Sequence, residues 1–150
     1  MQPAAPLVWL NRQRTVAARQ LSLGRTRLLV DRAWPDILAS ARRGSVLSKL
    51  EGITIVLVSD RRIAELHTRF MGDPAPTDVI TFQHGEIVVS AETARREARL
   101  RGLPVPREIA LYAVHGLLHL AGWSDQCRSD AAEMRAAQEK ILRRAARSLC

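Results

Sequence analysis

The sequence predicts an α+β fold in which a small mixed β-sheet packs against helices. Three observations lead to this prediction: a run of β-branched residues in the first half of the chain, two further short strands joined by a tight turn, and helical periodicity in most of the remaining sequence. The chain has 150 residues, the size of one ordinary domain. We therefore expect a single domain over residues 1–150, without internal repeats or linkers.

The first half of the chain alternates between predicted strands and helices. Its elements are an edge strand over Leu7 to Leu10, a helix over Leu23 to Arg43, a buried strand over Ile53 to Val58 and a helix over Arg61 to Phe70. Pro35 lies inside the first helix and predicts a kink or a break there. Ser59 and Asp60 precede the second helix and supply its N-cap.

The second half begins with a hairpin and ends in helices. Its elements are a loop over Gly72 to Pro76, strands over Asp78 to Phe82 and Glu86 to Val89, and helices over Ala91 to Leu100, Arg107 to Leu120 and about Ser129 to Leu149. Only Gln83, His84 and Gly85 separate the two strands, so an antiparallel hairpin is expected. Pro104 and Pro106 predict a loop before the apolar helix, and Gly122 ends that helix.

Composition and charge narrow the possible partners. The formal net charge is +8 and the sequence pI is near 11.1, which favours polyanions such as nucleic acid. Nearly all the positive charge is arginine, so a bias of the genome towards arginine codons explains the net charge equally well.

No apolar run approaches the ~18 to 20 residues needed to span a bilayer. Cys127 and Cys150 are too few for a disulfide framework, and we expect a soluble, cytoplasmic protein.

Two histidines on the predicted apolar helix have the spacing of metal ligands. His115 and His119 are four residues apart, so both imidazoles lie on one face of the helix. Gly122 can adopt the positive φ that turns the chain back, and Asp125 follows three residues later. Two histidines and a carboxylate leave a fourth position open for water, as in catalytic zinc sites. We predict one zinc ion bound by His115, His119 and Asp125, and hydrolysis as its use.

Three sequence blocks resemble the YbeY family, the single-strand-specific metallo-endoribonucleases of bacterial ribosome maturation. The blocks are His115-Gly-Leu-Leu-His119-Leu-Ala-Gly122-Trp-Ser-Asp125, Pro76-Thr-Asp-Val-Ile-Thr-Phe82 and Gly85-Glu-Ile-Val-Val-Ser90, and Glu133-Met134 follows at the family's spacing. The resemblance covers roughly Ser59 to Leu142. It implies a YbeY-like fold with a zincin-like metal helix, zinc as cofactor, and cleavage of single-stranded RNA. The implied partners are 16S rRNA, whose 3′ end is matured, and the small ribosomal subunit.

The chain departs from the family pattern at three positions. Asp125 stands where the third ligand is usually histidine, which lowers the net charge of the metal site from +2 to +1 and predicts a weaker Lewis acid. Met71 stands where the family has an arginine, and Arg69, two residues earlier, is the candidate to replace its guanidinium at the scissile phosphate. His67 stands where asparagine is expected, and we interpret it as a residue of the cleft wall.

Two other functions remain open at this stage. A zinc peptidase is one, but such enzymes carry a glutamate after the first histidine, where this chain has Gly116. A basic ribosome-assembly factor with a structural metal is the other, and Met71 favours it. Candidate RNA contacts, each also explicable as surface charge or core aromatic, are Arg61, Arg62, Arg69, Phe82 and Trp123. Residues given lesser roles are His84 as an exposed turn residue, Glu86 as a structural hydrogen-bonding residue and Cys127 as an alternative soft ligand.

Overall fold

A four-stranded mixed sheet lies at the centre of the computed structural model, which describes residues 5–75 and 77–147. The strands are β1 (Leu7–Asn11), β2 (Ile53–Val58), β3 (Val79–Phe82) and β4 (Glu86–Ser90), in the spatial order β1-β2-β4-β3. β1 pairs with β2 and β2 with β4 in parallel, whereas β3 pairs with β4 in antiparallel fashion. The predicted mixed sheet, the edge position of β1 and the antiparallel hairpin are confirmed.

Six α-helices surround this sheet in the described part of the chain. They are α1 (Ala18–Leu21), α2 (Leu23–Ala39), α3 (Asp60–Met71), α4 (Ala91–Arg101), α5 (Val105–Leu120) and α6 (Arg128–Arg147), and a short 3-10 helix covers Val46–Lys49. None of the described helices is both long and apolar enough to cross a membrane. Pro76, Leu149 and Cys150, named in the predictions, lie outside the described residues.

Each face of the sheet packs against a different set of helices. In β2, Ile53, Ile55 and Leu57 are fully buried and belong to a main core shared with α2, α4, α5 and α6. The alternate residue Val58 lies on the other face, in a smaller cluster with Ile63 of α3. The period of two in β2 therefore decides which side chains meet α5, and α5 is the helix that carries the two predicted histidine ligands.

Several predicted boundaries were wrong, for identifiable reasons. α2 passes through Pro35 without a break and ends at Ala39 rather than Arg43. α5 begins at Val105, inside the predicted loop, because Pro104 serves as N-cap and Pro106 is tolerated in a first turn, where its missing N–H needs no partner. Neither α1 nor the 3-10 helix was predicted. Both are only four residues long, too short for hydrophobic periodicity to reveal.

A network of hydrogen bonds joins the N-termini of α3 and α4. The Asp60 carboxylate accepts hydrogen bonds from Ser90 (2.6 Å), Thr93 (2.7 Å) and Arg96 (2.6 Å), while Glu92 of α4 accepts one from the Asp60 N–H (2.9 Å). Partial burial alone would raise the pKa of Asp60, but these hydrogen bonds and the Arg96 charge outweigh it and hold that pKa below its usual value. The ionised carboxylate therefore stabilises the packing of α3 beside α4.

Asp60→Asn should destabilise the protein by about 1–2 kcal/mol at neutral pH, because the Arg96 guanidinium loses its ionised partner. The folded-state pKa of Asp60 is lowered, so its contribution is fully present above the unfolded pKa and is lost as pH falls through the folded value. The difference between wild type and variant should therefore hold down to about pH 4 and shrink below it. Urea unfolding at several pH values measures this. Asp31→Asn, an exposed aspartate on α2, is the control and should show no such difference.

Candidate metal centre

α5 is held unusually close to the sheet at Gly116, directly after the first histidine. A Cβ atom at this position would lie 2.8 Å from Cγ2 of Ile87 in β4 and 2.9 Å from Oγ1 of Thr81 in β3. Ile87 is fully buried and has no room to move. Only glycine permits this approach, which fixes the height of the helix above the strands and thereby the position of His115.

The C-terminus of α5 turns the chain back toward the histidines. Gly122 has φ of 95°, and its N–H donates to the His119 carbonyl (3.0 Å) while the Trp123 N–H donates to the Leu118 carbonyl (3.0 Å). This pair of bonds is the Schellman motif, which glycine favours because it has no Cβ in the left-handed conformation. The reversed chain then brings Asp125 over the helix face that carries both imidazoles.

The three predicted ligands converge on a common point. The two Nε2 atoms of His115 and His119 are 3.1 Å apart, and Oδ2 of Asp125 lies 3.6 Å and 3.4 Å from them. A tetrahedral zinc ion with ligands at its usual 2.0–2.1 Å separates its ligand atoms by about 3.3–3.4 Å. The observed separations match this value, so these three residues could hold one metal ion.

The outer ring nitrogens determine which atoms face the common point. Nδ1 of His119 donates to the Trp123 carbonyl (3.1 Å), and Nδ1 of His115 donates to Oε1 of Gln138 on α6 (3.0 Å). In the neutral rings both Nε2 atoms therefore present lone pairs to each other and to the Asp125 carboxylate. A divalent cation at the common point would satisfy all three of these electron-rich atoms at once.

Exposure suits a site that also admits a substrate. The side chains of His115 and His119 are 27% and 23% exposed, and that of Asp125 is 43% exposed. A structural metal is enclosed by four protein ligands, whereas a catalytic metal keeps one position free. The three-residue group lies at the surface and thus fits the second kind of site.

The backbone carbonyl of Trp123 orients His119, and the Trp123 side chain is itself held by two contacts. Its indole N–H donates to the Ser40 carbonyl (3.2 Å), and the Arg42 guanidinium lies 4.3 Å from the centre of its ring. These contacts fix the residue whose carbonyl orients His119. The ring is partly buried against the main core, so the core role weighed for Trp123 in the sequence is present.

Arg69 and His67 both lie on α3. Arg69 is exposed, and its guanidinium carbon lies 5.4 Å from the centre of the Phe70 ring. Nδ1 of His67 bonds to the Ala75 carbonyl at 2.7 Å, so His67 holds the loop after α3. Among the described residues neither side chain forms a hydrogen bond or an ion pair with His115, His119 or Asp125. The role of Arg69 at a phosphate thus stays a prediction.

The remaining candidates stay outside the metal group as well. The exposed Cys127 thiol accepts a hydrogen bond from the Asp130 N–H at 3.4 Å and so caps α6. Among the described residues, the group that could hold a metal is His115, His119 and Asp125, and Cys127 is not part of it. His84 is 70% exposed, as predicted, and lies 3.9 Å from Glu86. Sequence analysis did not identify Gln138, yet a signal was present: Gln138 falls on the same face of α6 as the buried Met134, Ile141 and Leu142.

Comparison with known proteins agrees with the fold and the motif. The family model described as Endoribonuclease YbeY matches residues 29–146. A protein named Endoribonuclease YbeY from Pelotomaculum thermopropionicum is 32% identical over 154 residues, covering 93% of this chain and 96% of that protein. The one from Moorella thermoacetica is 36% identical over 123 residues, covering 69% and 78%. One from Thermus thermophilus is 36% identical over 104 residues, covering 61% and 75%.

A solved structure shares the architecture. The solution structure of TM1509 from Thermotoga maritima matches with a TM-score of 0.56 and 22% identity, covering 93% of this chain and 88% of the other. The fold is α+β, and the surface-exposed group of His115, His119 and Asp125, on one helix and its returning loop, could hold a metal ion. The chain belongs to the YbeY endoribonuclease family. The family assignment and the fold class made from sequence are therefore confirmed.

Gly116→Ala should lower the free energy of unfolding by about 1–3 kcal/mol, because the added methyl overlaps the buried Ile87 side chain. It should also weaken metal binding, since α5 must move outward. Thermal unfolding and metal titration measure the two effects. Gly24→Ala in α2, where no atom lies within 4 Å of the new Cβ, is the matched control. Equal stability of the two variants would contradict the close approach described above.

Gln138→Leu should weaken zinc binding about 10–100-fold, because it removes the acceptor that orients His115. Asp125→Asn should weaken it at least as much by removing the anionic ligand. Competition with a chromogenic zinc chelator measures both. Asp130→Asn is the control, because it removes one negative charge, as Asp125→Asn does, but from the first turn of α6 and outside the His-His-Asp group. It should bind zinc like the wild type. Unchanged affinity in Asp125→Asn would exclude Asp125 as a ligand.

Proposed function

We propose that this chain is a zinc-dependent, single-strand-specific endoribonuclease of the cytoplasm that acts on 16S rRNA during 3′-end maturation and ribosome quality control on the small subunit. The observation that carries the proposal is the convergence of two imidazole lone pairs and one carboxylate at tetrahedral spacing, exposed to solvent. Membership in a family of endoribonucleases supports hydrolysis of RNA as the reaction. Only three protein groups converge at the site, so a bound metal would keep one coordination position free. This supports a catalytic rather than a structural metal.

The residues of the site have two proposed roles: some would hold the metal ion, and others orient the imidazoles that hold it. His115, His119 and Asp125 would hold the ion, while Gln138 and the Trp123 carbonyl keep both imidazoles in the tautomer that presents Nε2. When bound, a divalent ion would supply Lewis acidity to the scissile phosphate and to water. Asp125 is a carboxylate where the family usually has a neutral imidazole, so a bound divalent ion would leave the site with a net charge of +1 and would polarise the phosphate less strongly.

A row of side chains beside the hairpin supports RNA as the substrate. The Phe70 and Phe82 rings meet edge to face at 5.2 Å, His84 stacks on Phe82 at 5.5 Å, and Arg69 lies over Phe70. Phe70 is 56% exposed, so bases of a single strand have an aromatic surface to stack on, with a guanidinium beside it for phosphate. Arg69 and Phe82, which the sequence proposed separately as RNA contacts, thus lie in one row.

The space around Gly116 argues against a peptidase. A zinc peptidase places a glutamate directly after its first histidine as general base. Here any side chain at that position would strike Ile87 and Thr81, so a glutamate does not fit. Phosphodiester cleavage depends more on positive charge at phosphorus, which a bound metal ion and nearby arginines would supply.

Zinc-loaded protein should cleave a single-stranded fragment from the 3′ end of 16S rRNA and leave the same fragment intact when it is annealed to its complement. His119→Ala should lower the rate at least about hundredfold, because it removes a metal ligand. Asp31→Asn, which removes an exposed charge of α2 outside the metal group, should retain the wild-type rate. Chelation should abolish cleavage and zinc should restore it, as followed on denaturing gels.

The same preparation separates the alternatives. Equal cleavage by wild type and His119→Ala would assign the activity to a contaminant and refute the nuclease. Digestion of casein by the wild type but not the variant would favour the peptidase. Binding of the RNA fragment without cleavage, together with a lower unfolding temperature after zinc removal, would favour an assembly factor with a structural metal.

A further inference from the structure

A cavity of about 430 Å³ lies far from the metal group, between α1, α2, α4 and the start of α5. Four arginines from three helices line it: Arg19 of α1, Arg25 of α2, and Arg95 and Arg99 of α4. Along α5, ten residues separate Val105 at this cavity from His115, which corresponds to about 15 Å of helix. The cavity and the metal group are therefore separate sites on the same molecule.

The positive charge in this cavity has no acidic partner among the residues that the structure describes. No carboxylate lines it, and within the described residues none of the four arginines forms an ion pair. Arg95 donates only to the neutral Thr15 carbonyl, at 3.3 Å. Elsewhere in the described part of the chain, six arginines have acidic partners: Arg42, Arg61, Arg62, Arg96, Arg101 and Arg144. Four like charges around one concavity repel one another, and an anion between them removes that cost.

The helix that starts at the cavity adds to this positive field. α2 has 17 residues, its first turn contains no acidic residue, and the Ser22 side chain at its N-cap makes no capping hydrogen bond. Ser22 lines the cavity, so the positive end of the α2 dipole lies beside the same space as Arg25. Guanidinium groups and helix N-termini are both donors that phosphate prefers.

We propose that this arginine cavity binds the phosphate backbone of single-stranded RNA as a second contact region, distinct from the metal group. The choice of RNA among polyanions rests on the proposed function. No aromatic side chain lines the cavity, so it offers no surface for base stacking, and the contact is independent of sequence. It would hold the substrate chain at a distance from the cleaved bond and add affinity without taking part in the chemistry.

Fluorescence anisotropy with labelled oligouridylate tests this proposal. Chelator keeps the protein metal-free, so binding is measured without cleavage. The double variant Arg25→Gln/Arg99→Gln should bind about tenfold more weakly near 0.1 M salt. Its plot of log affinity against log salt should be shallower by about 1.4, because each phosphate contact to a single strand contributes about 0.7.

The matched control is Arg27→Gln/Arg32→Gln, which removes the same two charges from exposed positions of α2 that do not line the cavity. It should retain nearly the wild-type affinity and slope. An equal loss in both double variants would overturn the proposal, since net charge alone would then explain binding. The proposal would also be overturned if the Arg25→Gln/Arg99→Gln variant bound oligouridylate normally but lost binding to polyglutamate. That result would indicate an acidic protein partner. Failure of RNA cleavage by the wild type would refute the proposed function and leave this comparison intact.

Discussion

The contact between Gly116 and the sheet is the constraint on which the rest of this structure depends. Because no Cβ intervenes, α5 lies directly on Ile87 of β4 and Thr81 of β3. The histidine before Gly116 and the one three residues after it are then fixed relative to the strands. The Schellman turn at Gly122 is equally dependent on glycine, and it returns Asp125 to the same point. Two glycines thus determine the geometry that three ligands share.

Much of the fold follows from local patterns. The β-branched run gave β2 at its observed bounds, because Ile53–Val58 alternates between two buried faces and carries no competing helical period. The hairpin followed from a connection too short for a crossover. The metal group followed from the helical spacing of His115 and His119, since a helix converts that spacing into a common direction. The resemblance to the family rested on the block that contains these histidines together with the two blocks of the hairpin.

Features built from distant parts of the chain were beyond sequence reasoning. Gln138 reaches His115 across 23 positions, and only the packing of α6 against α5 brings them together. The arginine cavity joins Arg19 and Arg25 to Arg95 and Arg99, so the sequence shows only scattered basic residues. α1 is too short to leave a periodic pattern and is held by its buried Leu21. Each of these depends on tertiary contacts rather than on local preference.

The two cores of the sheet differ in size, and this difference has a dynamic consequence. α3 is anchored by a small cluster in which Val58, Ile63, Ile80 and Val88 are the buried members, whereas α5 lies within the main core. Fewer buried contacts mean that α3 opens at a lower free-energy cost, so its amides should exchange with solvent faster than those of α5. The helix that carries Arg69 and Phe70 is therefore the more adjustable of the two, whereas α5 holds His115 and His119 rigidly. The helix that opens more readily, α3, and the helix that carries His115 and His119, α5, thus lie on opposite faces of one sheet.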